Sequence, residues 1–246
     1  EHIHSSARQT TSNTGTVMKT LLRTGTLFAA GLALAACSSA QEPPRPDGFV
    51  SITDSVPGIA TEIRYFTDEN FVGRPINGYE APLCILSVEA AEAVASVQET
   101  LSGFGLGLKV FDCYRPQRAV SDFAAWAADP EDVARQADYY PNVPKDELFE
   151  RGYIAERSGH SRGSAIDLTL IDLSTNEELD MGSGYDLFDT LSHPSDPRPS
   201  AEARANRMLL QRLMVEAGFN ALEEEWWHFW LADEPYPDTY FDFVVE

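Results

Sequence analysis

Two short blocks constrain this chain more than any other feature: SGHSRGSAID, which carries His160 and Asp167, and EEEWWHFW, which carries His228. Two histidines and one aspartate are the usual protein ligands of a catalytic zinc site, because three side chains leave the fourth tetrahedral position for water or substrate. In the first block the ligands are separated by a loop containing Gly163 and by the start of a strand, an arrangement that folds both back onto one ion. In the second, Glu225 precedes His228 by three residues on a strand or its edge, so an acid stands beside the third ligand. Any fold of this chain has to bring the two blocks to one point.

Zinc lowers the pKa of bound water to about 7, and a neighbouring carboxylate takes its proton and passes it to a leaving amine. Glu225 is the choice for that base; Glu223 and Glu224 remain alternatives on chemistry alone. A developing oxyanion needs a positive partner besides the metal, and Arg115, held where a strand gives way to a turn, aims a rigid fork there. His193, in SHPSDP, reads as a loop residue, and Trp226, Trp227 and Trp230 as core or pocket wall.

Around these blocks the pattern is mixed. SVEAAEAVASVQETL, from Ser87 to Leu101, has apolar residues at helical spacing with Ser87 as N-cap. LKVFD is a strand that delivers CYRPQR at its end. Pro116 suits a helix start, and QRAVSDFAAWAA continues that helix until Asp129-Pro130 stops it. The stretch from Glu131 to Glu156 lacks periodicity and reads as a surface loop. SAIDLTLID is a core strand, Ser174-Thr175-Asn176 a turn, Ala201 to Ala217 a helix stopped by Gly218, and EWWHFWL a last aromatic strand. Helices and strands do not alternate regularly, which favours α+β over a doubly wound sheet.

A formal charge of −21 excludes a nucleic-acid surface, which needs clustered Lys and Arg, and 43% hydrophobic content fits a globular domain. Small substrates or cell-envelope components fit better. Residues 1–17 read as an upstream extension or expression remnant. From Met18 a short basic region, an apolar run from Leu27 to Ala36 and then Cys37 form a secretory signal over 18–36. The run is too short to span a bilayer as a helix. Leu34-Ala35-Ala36-Cys37 resembles a bacterial lipobox, in which the cysteine is lipidated, so the chain is expected to be exported and anchored in the periplasm. Residues 37–48 are the tether and 49–246 the folded domain. With Cys37 so assigned, Cys84 and Cys113 remain as one disulfide or as two buried thiols. No oligomer is specified.

SGHSRGSAIDLTL and EWWH, with DCYRPQRAV upstream, RYFTDENFVGRPINGYE near the front and LADEPYPDTYFDF at the end, resemble the VanX-type D-alanyl-D-alanine dipeptidases. These are relatives of the D,D-carboxypeptidases and of the hedgehog zinc fold. The likeness runs from about Thr61 to the C-terminus. It implies a single hedgehog/D,D-peptidase-like α+β domain with a central antiparallel sheet flanked by helices, and one Zn2+ per chain on His160, Asp167 and His228. It implies Glu225 as catalytic base, Arg115 as stabiliser of the tetrahedral intermediate, and Tyr65, Tyr79, Ser158 and Asp186 as dipeptide-binding positions, the acid taking the free ammonium. The expected activity is hydrolysis of D-Ala-D-Ala in cell-wall turnover. The alternatives are a D,D-carboxypeptidase acting on peptidoglycan stems and a non-catalytic zinc-holding lipoprotein. Export is a departure from the vancomycin-resistance enzymes of this type, which work in the cytoplasm.

Overall fold

The computed structural model describes residues 42–246; the upstream extension, the signal over 18–36 and Cys37 lie outside the described residues. The chain runs β1 (Phe49–Ser51), α1 (Ile52–Ser55), β2 (Ala60–Thr61), β3 (Ile85–Ser87), α2 (Val88–Ser102), β4 (Leu106–Asp112), α3 (Gln117–Ala127), α4 (Gln136–Tyr139), β5 (Ala165–Asp172), α5 (Ala201–Glu216), β6 (Phe219–Ala221) and β7 (His228–Leu231), with 3-10 turns between. β1 and β3 pair as a small antiparallel ribbon. The other strands form one sheet in the order β2-β4-β5-β7-β6.

This α+β architecture carries the expected central antiparallel sheet with one exception: the edge strand β2 runs parallel to β4. Two paired residues are too few to leave a pattern in the sequence. The centre is β5, buried over seven of its eight residues and hydrogen-bonded on both sides, to β4 and to β7. A strand with period-two side chains puts Ile166, Leu168 and Leu170 on one face and Asp167 and Thr169 on the other. Both faces are covered, so Thr169 is fully buried beside its apolar neighbours.

Helix α2 begins where the cap chemistry predicts, the Ser87 hydroxyl accepting from the Ala90 amide at 3.3 Å. It packs against β4 and touches α5. Pro116 closes the entry to α3, whose Phe123 and Trp126 join Phe71 in an aromatic cluster that reaches Tyr65. The segment from Glu131 to Glu156, read as a loop, holds α4 and a 3-10 turn at Lys145–Glu147. What orders it is tertiary: the Lys145 ammonium donates to the carbonyls of Asp129 and Asp132, both at 2.6 Å, and lies over the Trp126 ring.

Cys84 and Cys113 are bridged, with Cα atoms 5.2 Å apart, and both are buried. The bridge closes a loop of sequence separation 29 between the approach to β3 and the end of β4. Cross-linking a loop of this size stabilises a fold by about 2–4 kcal/mol, through the unfolded chain in the entropy model. The double variant Cys84→Ala/Cys113→Ala is therefore expected to lose about that much in urea unfolding; an unchanged midpoint would show that the bridge contributes nothing.

Candidate active site

Three adjacent strands carry one row of polar side chains across the sheet. Asp112, at the end of β4, pairs in register with Asp167 of β5, and Asp167 pairs with His228, the first residue of β7. The register between β4 and β5 shifts between Val110 and Asp112, a bulge of the kind that re-aims side chains beside functional sites.

His160 arrives from a different element, a 3-10 turn over Gly159–Arg162 just ahead of β5. Ser158 caps that turn through its hydroxyl, and Gly163 ends it at φ 84°, in the left-handed region. A side chain there would also collide with the Phe49 ring. Glycine is thus required twice over, and the reversal it permits sends the chain back into β5 with His160 above Asp167.

The result is a tight cluster of three donor groups. His160 Nε2 lies 3.1 Å from His228 Nδ1, His228 Nδ1 lies 2.9 Å from Asp167 Oδ1, and His160 Nε2 lies 3.4 Å from the same oxygen. Metal–ligand bonds of about 2.0–2.1 Å in a tetrahedron give ligand edges of about 3.3 Å, so the spacing fits one small divalent cation. The other ring nitrogen of His160 is 2.6 Å from the Cys113 carbonyl. Donating there, it leaves Nε2 as the lone-pair atom, the orientation that outer partners impose on metal-binding histidines. Burial pushes the Asp167 carboxyl up, but the imidazoles of His160 and His228 outweigh it and hold it well below the usual range. Burial likewise disfavours a charged His228, and its hydrogen bond to Asp167 wins, raising its pKa. The group could hold a metal through three protein ligands.

A cavity of about 200 Å³ opens beside this cluster. That is below the roughly 300–1,000 Å³ of sites for drug-sized ligands, so its occupant is small. Glu225 lines it from the turn ahead of β7, not from the strand itself. Burial pushes its carboxyl up to about 7, with Asp167 adding to the rise and His228 and Arg115 opposing it. That value suits an acid–base group at neutral pH. Of the three consecutive glutamates only Glu225 lines this cavity: Glu223 and Glu224 are exposed and line a different surface hollow with His193.

Arg115 stacks its guanidinium over Tyr65 and Phe123 at 5.0 and 5.2 Å. It is held by Asp112, which takes hydrogen bonds from Nε at 2.9 Å and lies 2.8 Å from Nη2. Its Nη1 points to Ser158 Oγ at 3.5 Å and its Nη2 is 3.8 Å from Asp167 Oδ2. A planar cation so fixed can meet negative charge that develops next to the cluster.

On the other side, Asp186 lies in the cavity wall in a left-handed conformation, φ 59°. It accepts a 2.8 Å hydrogen bond from Tyr65 and, among the described residues, forms no salt bridge. Burial raises its pKa well above the usual range, helped by the charges of Asp167 and Glu225. A buried acid in that state gains from an incoming cation. Tyr185 donates to Asp167 at 3.0 Å and its oxygen lies 3.2 Å from that of Tyr65, joining this end to the group of His160, Asp167 and His228.

The cavity therefore collects His160, Asp167, His228, Glu225, Arg115, Ser158, Tyr65 and Asp186. Tyr79 is the exception among the expected substrate contacts. Its buried hydroxyl donates to Asp112 Oδ1 at 2.6 Å, outside the cavity wall, so it supports the carboxylate that holds Arg115. Asp112 and Tyr185 were missed by the sequence reading. Asp112 had a usable signal, an acid three residues before Arg115 at a strand end, whereas Tyr185 had none.

The pattern of the D-Ala-D-Ala dipeptidase family matches residues 45–246. The D-alanyl-D-alanine dipeptidase of Streptomyces coelicolor is 46% identical over 199 residues, covering 80% of this chain and 98% of the relative. That of Enterococcus faecium is 43% identical over 199 residues, covering 81% and 98%. The Escherichia coli dipeptidase is 35% identical over 173 residues, covering 70% and 79%. A match that takes in every strand and helix described above, with relatives this similar along nearly their whole length, establishes that the chain belongs to the D-alanyl-D-alanine dipeptidase family.

Proposed function

We propose that this chain hydrolyses free D-Ala-D-Ala to two D-alanines, using one zinc ion on His160, Asp167 and His228. The observation that carries the reading is the convergence of three groups that could hold a metal, a buried carboxylate and a fixed guanidinium on one small cavity. Zinc on such a set supplies a water of pKa about 7 and polarises the peptide carbonyl. Glu225 takes the proton of the attacking water and returns it to the leaving amine. Arg115 meets the oxyanion as it forms, kept in aim by Asp112. Asp186, with the Tyr65 hydroxyl orienting it, binds the substrate ammonium and regains its own charge in doing so. This acid at the end of a small cavity favours a dipeptide over a stem peptide, whose chain would have to continue past it. The presence of both Glu225 and Arg115 favours turnover over mere binding.

We also place the protein outside the cytoplasm, lipid-anchored through Cys37 and acting on wall fragments. The lipobox supports this, as does the Cys84–Cys113 bridge, since structural disulfides belong to oxidising compartments. The decisive assay offers zinc-loaded protein D-Ala-D-Ala, L-Ala-L-Ala and a muropeptide stem. The expected result is turnover of the first with a preference of about 10²-fold or more over the others. Faster cleavage of the stem would make it a carboxypeptidase, and hydrolysis of none would remove both enzyme readings.

A further inference from the structure

We propose that the Cys84–Cys113 disulfide positions the active site, by fixing the carbonyl that orients His160 and the segment that carries Arg115. The inference rests on the zinc reading above and adds to it a covalent support outside the cavity. Both cysteines are buried away from the cavity wall, so the bridge acts through its neighbours.

Four consecutive residues, Asp112 to Arg115, serve the site. The Asp112 carboxylate accepts from Arg115 Nε at 2.9 Å and from the Tyr79 hydroxyl at 2.6 Å. The Cys113 carbonyl accepts from His160 Nδ1 at 2.6 Å, and the Arg115 amide donates to the His160 carbonyl at 3.3 Å. His160 is thus held at its ring and at its backbone by residues two apart in the chain. The ring has a second acceptor within reach, since Asp112 Oδ2 lies 3.5 Å from the same Nδ1. That oxygen is the one Arg115 Nε uses. A ring turned toward it would lose its aim at the metal and compete with the guanidinium, so the place of the Cys113 carbonyl governs both groups.

What fixes that carbonyl is not the large sheet. The last pair of β4 with β5 is Asp112 with Asp167, after the register has already shifted. Beyond it the Tyr114 amide donates to the Ile85 carbonyl at 2.9 Å and the Tyr114 ring stacks on Phe243 at 4.0 Å. The covalent hold is the sulfur link to Cys84, the residue ahead of β3, whose own carbonyl accepts from the Ile52 amide at 2.9 Å. Tyr114 keeps the segment in place when the bridge is absent, so precision is lost rather than the site. Precision matters here: outer partners of metal-binding histidines are worth about 10- to 100-fold in affinity or activity, and a misplacement of about 1 Å costs up to about 10²-fold in rate. A chain whose bridge has not closed is therefore a weaker zinc binder and a slower enzyme.

Cys84→Ala/Cys113→Ala is compared with the wild type and with Leu210→Ala, a fully buried α5 residue whose truncation destabilises by about 2–5 kcal/mol without touching the cavity. Zinc affinity is read by chelator competition, kinetics on D-Ala-D-Ala at saturating zinc, and the His160 tautomer by nitrogen NMR of the metal-free proteins. In the bridge variant the zinc Kd should rise by about 10- to 100-fold and kcat fall by about 10-fold or more, with KM within about threefold. Its His160 should be a mixture of tautomers, against the Nδ1-protonated form in the wild type, and Leu210→Ala should match the wild type in all three readouts. A folded bridge variant with unaltered zinc Kd and tautomer, or the same losses in Leu210→Ala, overturns the proposal and leaves the bridge a stabiliser only. Should the bridge variant not fold, Nε2-protonated His160 in the metal-free wild type overturns the proposal by itself. A wild type that binds zinc without hydrolysing the dipeptide sinks the proposed activity while the zinc comparison still decides the bridge; a wild type that binds no zinc overturns both.

Discussion

Replacing Glu225 with Gln is expected to lower kcat on D-Ala-D-Ala by about 10²–10⁴-fold, the usual contribution of a positioned acid–base group, while zinc stoichiometry stays at one per chain. The two halves of this outcome follow from geometry. Glu225 lines the cavity from the turn ahead of β7, and the atoms that could hold the metal belong to His160, Asp167 and His228, so an amide of the same shape leaves that group intact. Stability should move the other way. Glu225 holds its proton up to about pH 7 because burial disfavours its charge, against an ordinary value of 4.5. With the folded pKa raised, the stability tied to the protonated form is complete below about 4.5 and is lost as pH rises through about 7. Metal-free Glu225→Gln has no such loss and should melt at or above the metal-free wild type at pH 8. A variant of near wild-type turnover would remove Glu225 from the mechanism, and one without zinc would make it a structural residue.

Stripping the metal should abolish activity and lower the melting temperature by roughly 10 °C at pH 7. Ligand that binds only the folded state at about 1,000 times its Kd contributes about 4 kcal/mol, and each kcal/mol moves a domain of this size by about 2–4 °C. The pH dependence discriminates further. In the chelated protein both Glu225 and His228 have raised pKa values, so its stability falls as pH climbs through about 7. A bound dication favours the ionised carboxylate and the neutral imidazole, which flattens that slope. Melting curves at pH 5, 6, 7 and 8 with zinc or with chelator check this; parallel profiles would mean the cation does not sit among these groups.

The parts of the site that were legible in the sequence are those whose chemistry is carried by one residue type. His160, Asp167 and His228 announce a metal because few other roles gather two imidazoles and a carboxylate, and Gly163 marks the reversal between them. The caps and stops of α2 and α3 were legible for a similar reason, since Ser87 and Pro116 act on their own backbone neighbours. What stayed hidden depends on partners remote in the chain. Asp112 matters because Tyr79 and Arg115 both point at it, and Tyr185 because it bridges Asp167 to Tyr65. Tyr79 shows the converse, an expected substrate contact whose hydroxyl the fold spends on Asp112 instead. The choice of Glu225 over its two neighbours was likewise open until the turn before β7 set one of three consecutive acids in the cavity and left the others in solvent.

The row of Asp112, Asp167 and His228 across three paired strands also makes catalysis a gauge of how the sheet was assembled. Side chains alternate faces along a strand, so a slip of one residue in β4, β5 or β7 turns its member of the row to the opposite face. There is no intermediate setting. A preparation containing misaligned molecules would behave as a mixture of fully competent and inert chains, with a reduced titratable active fraction and an unaltered KM. Counting active centres would thus measure the fidelity of strand pairing in a way that bulk secondary-structure signals cannot.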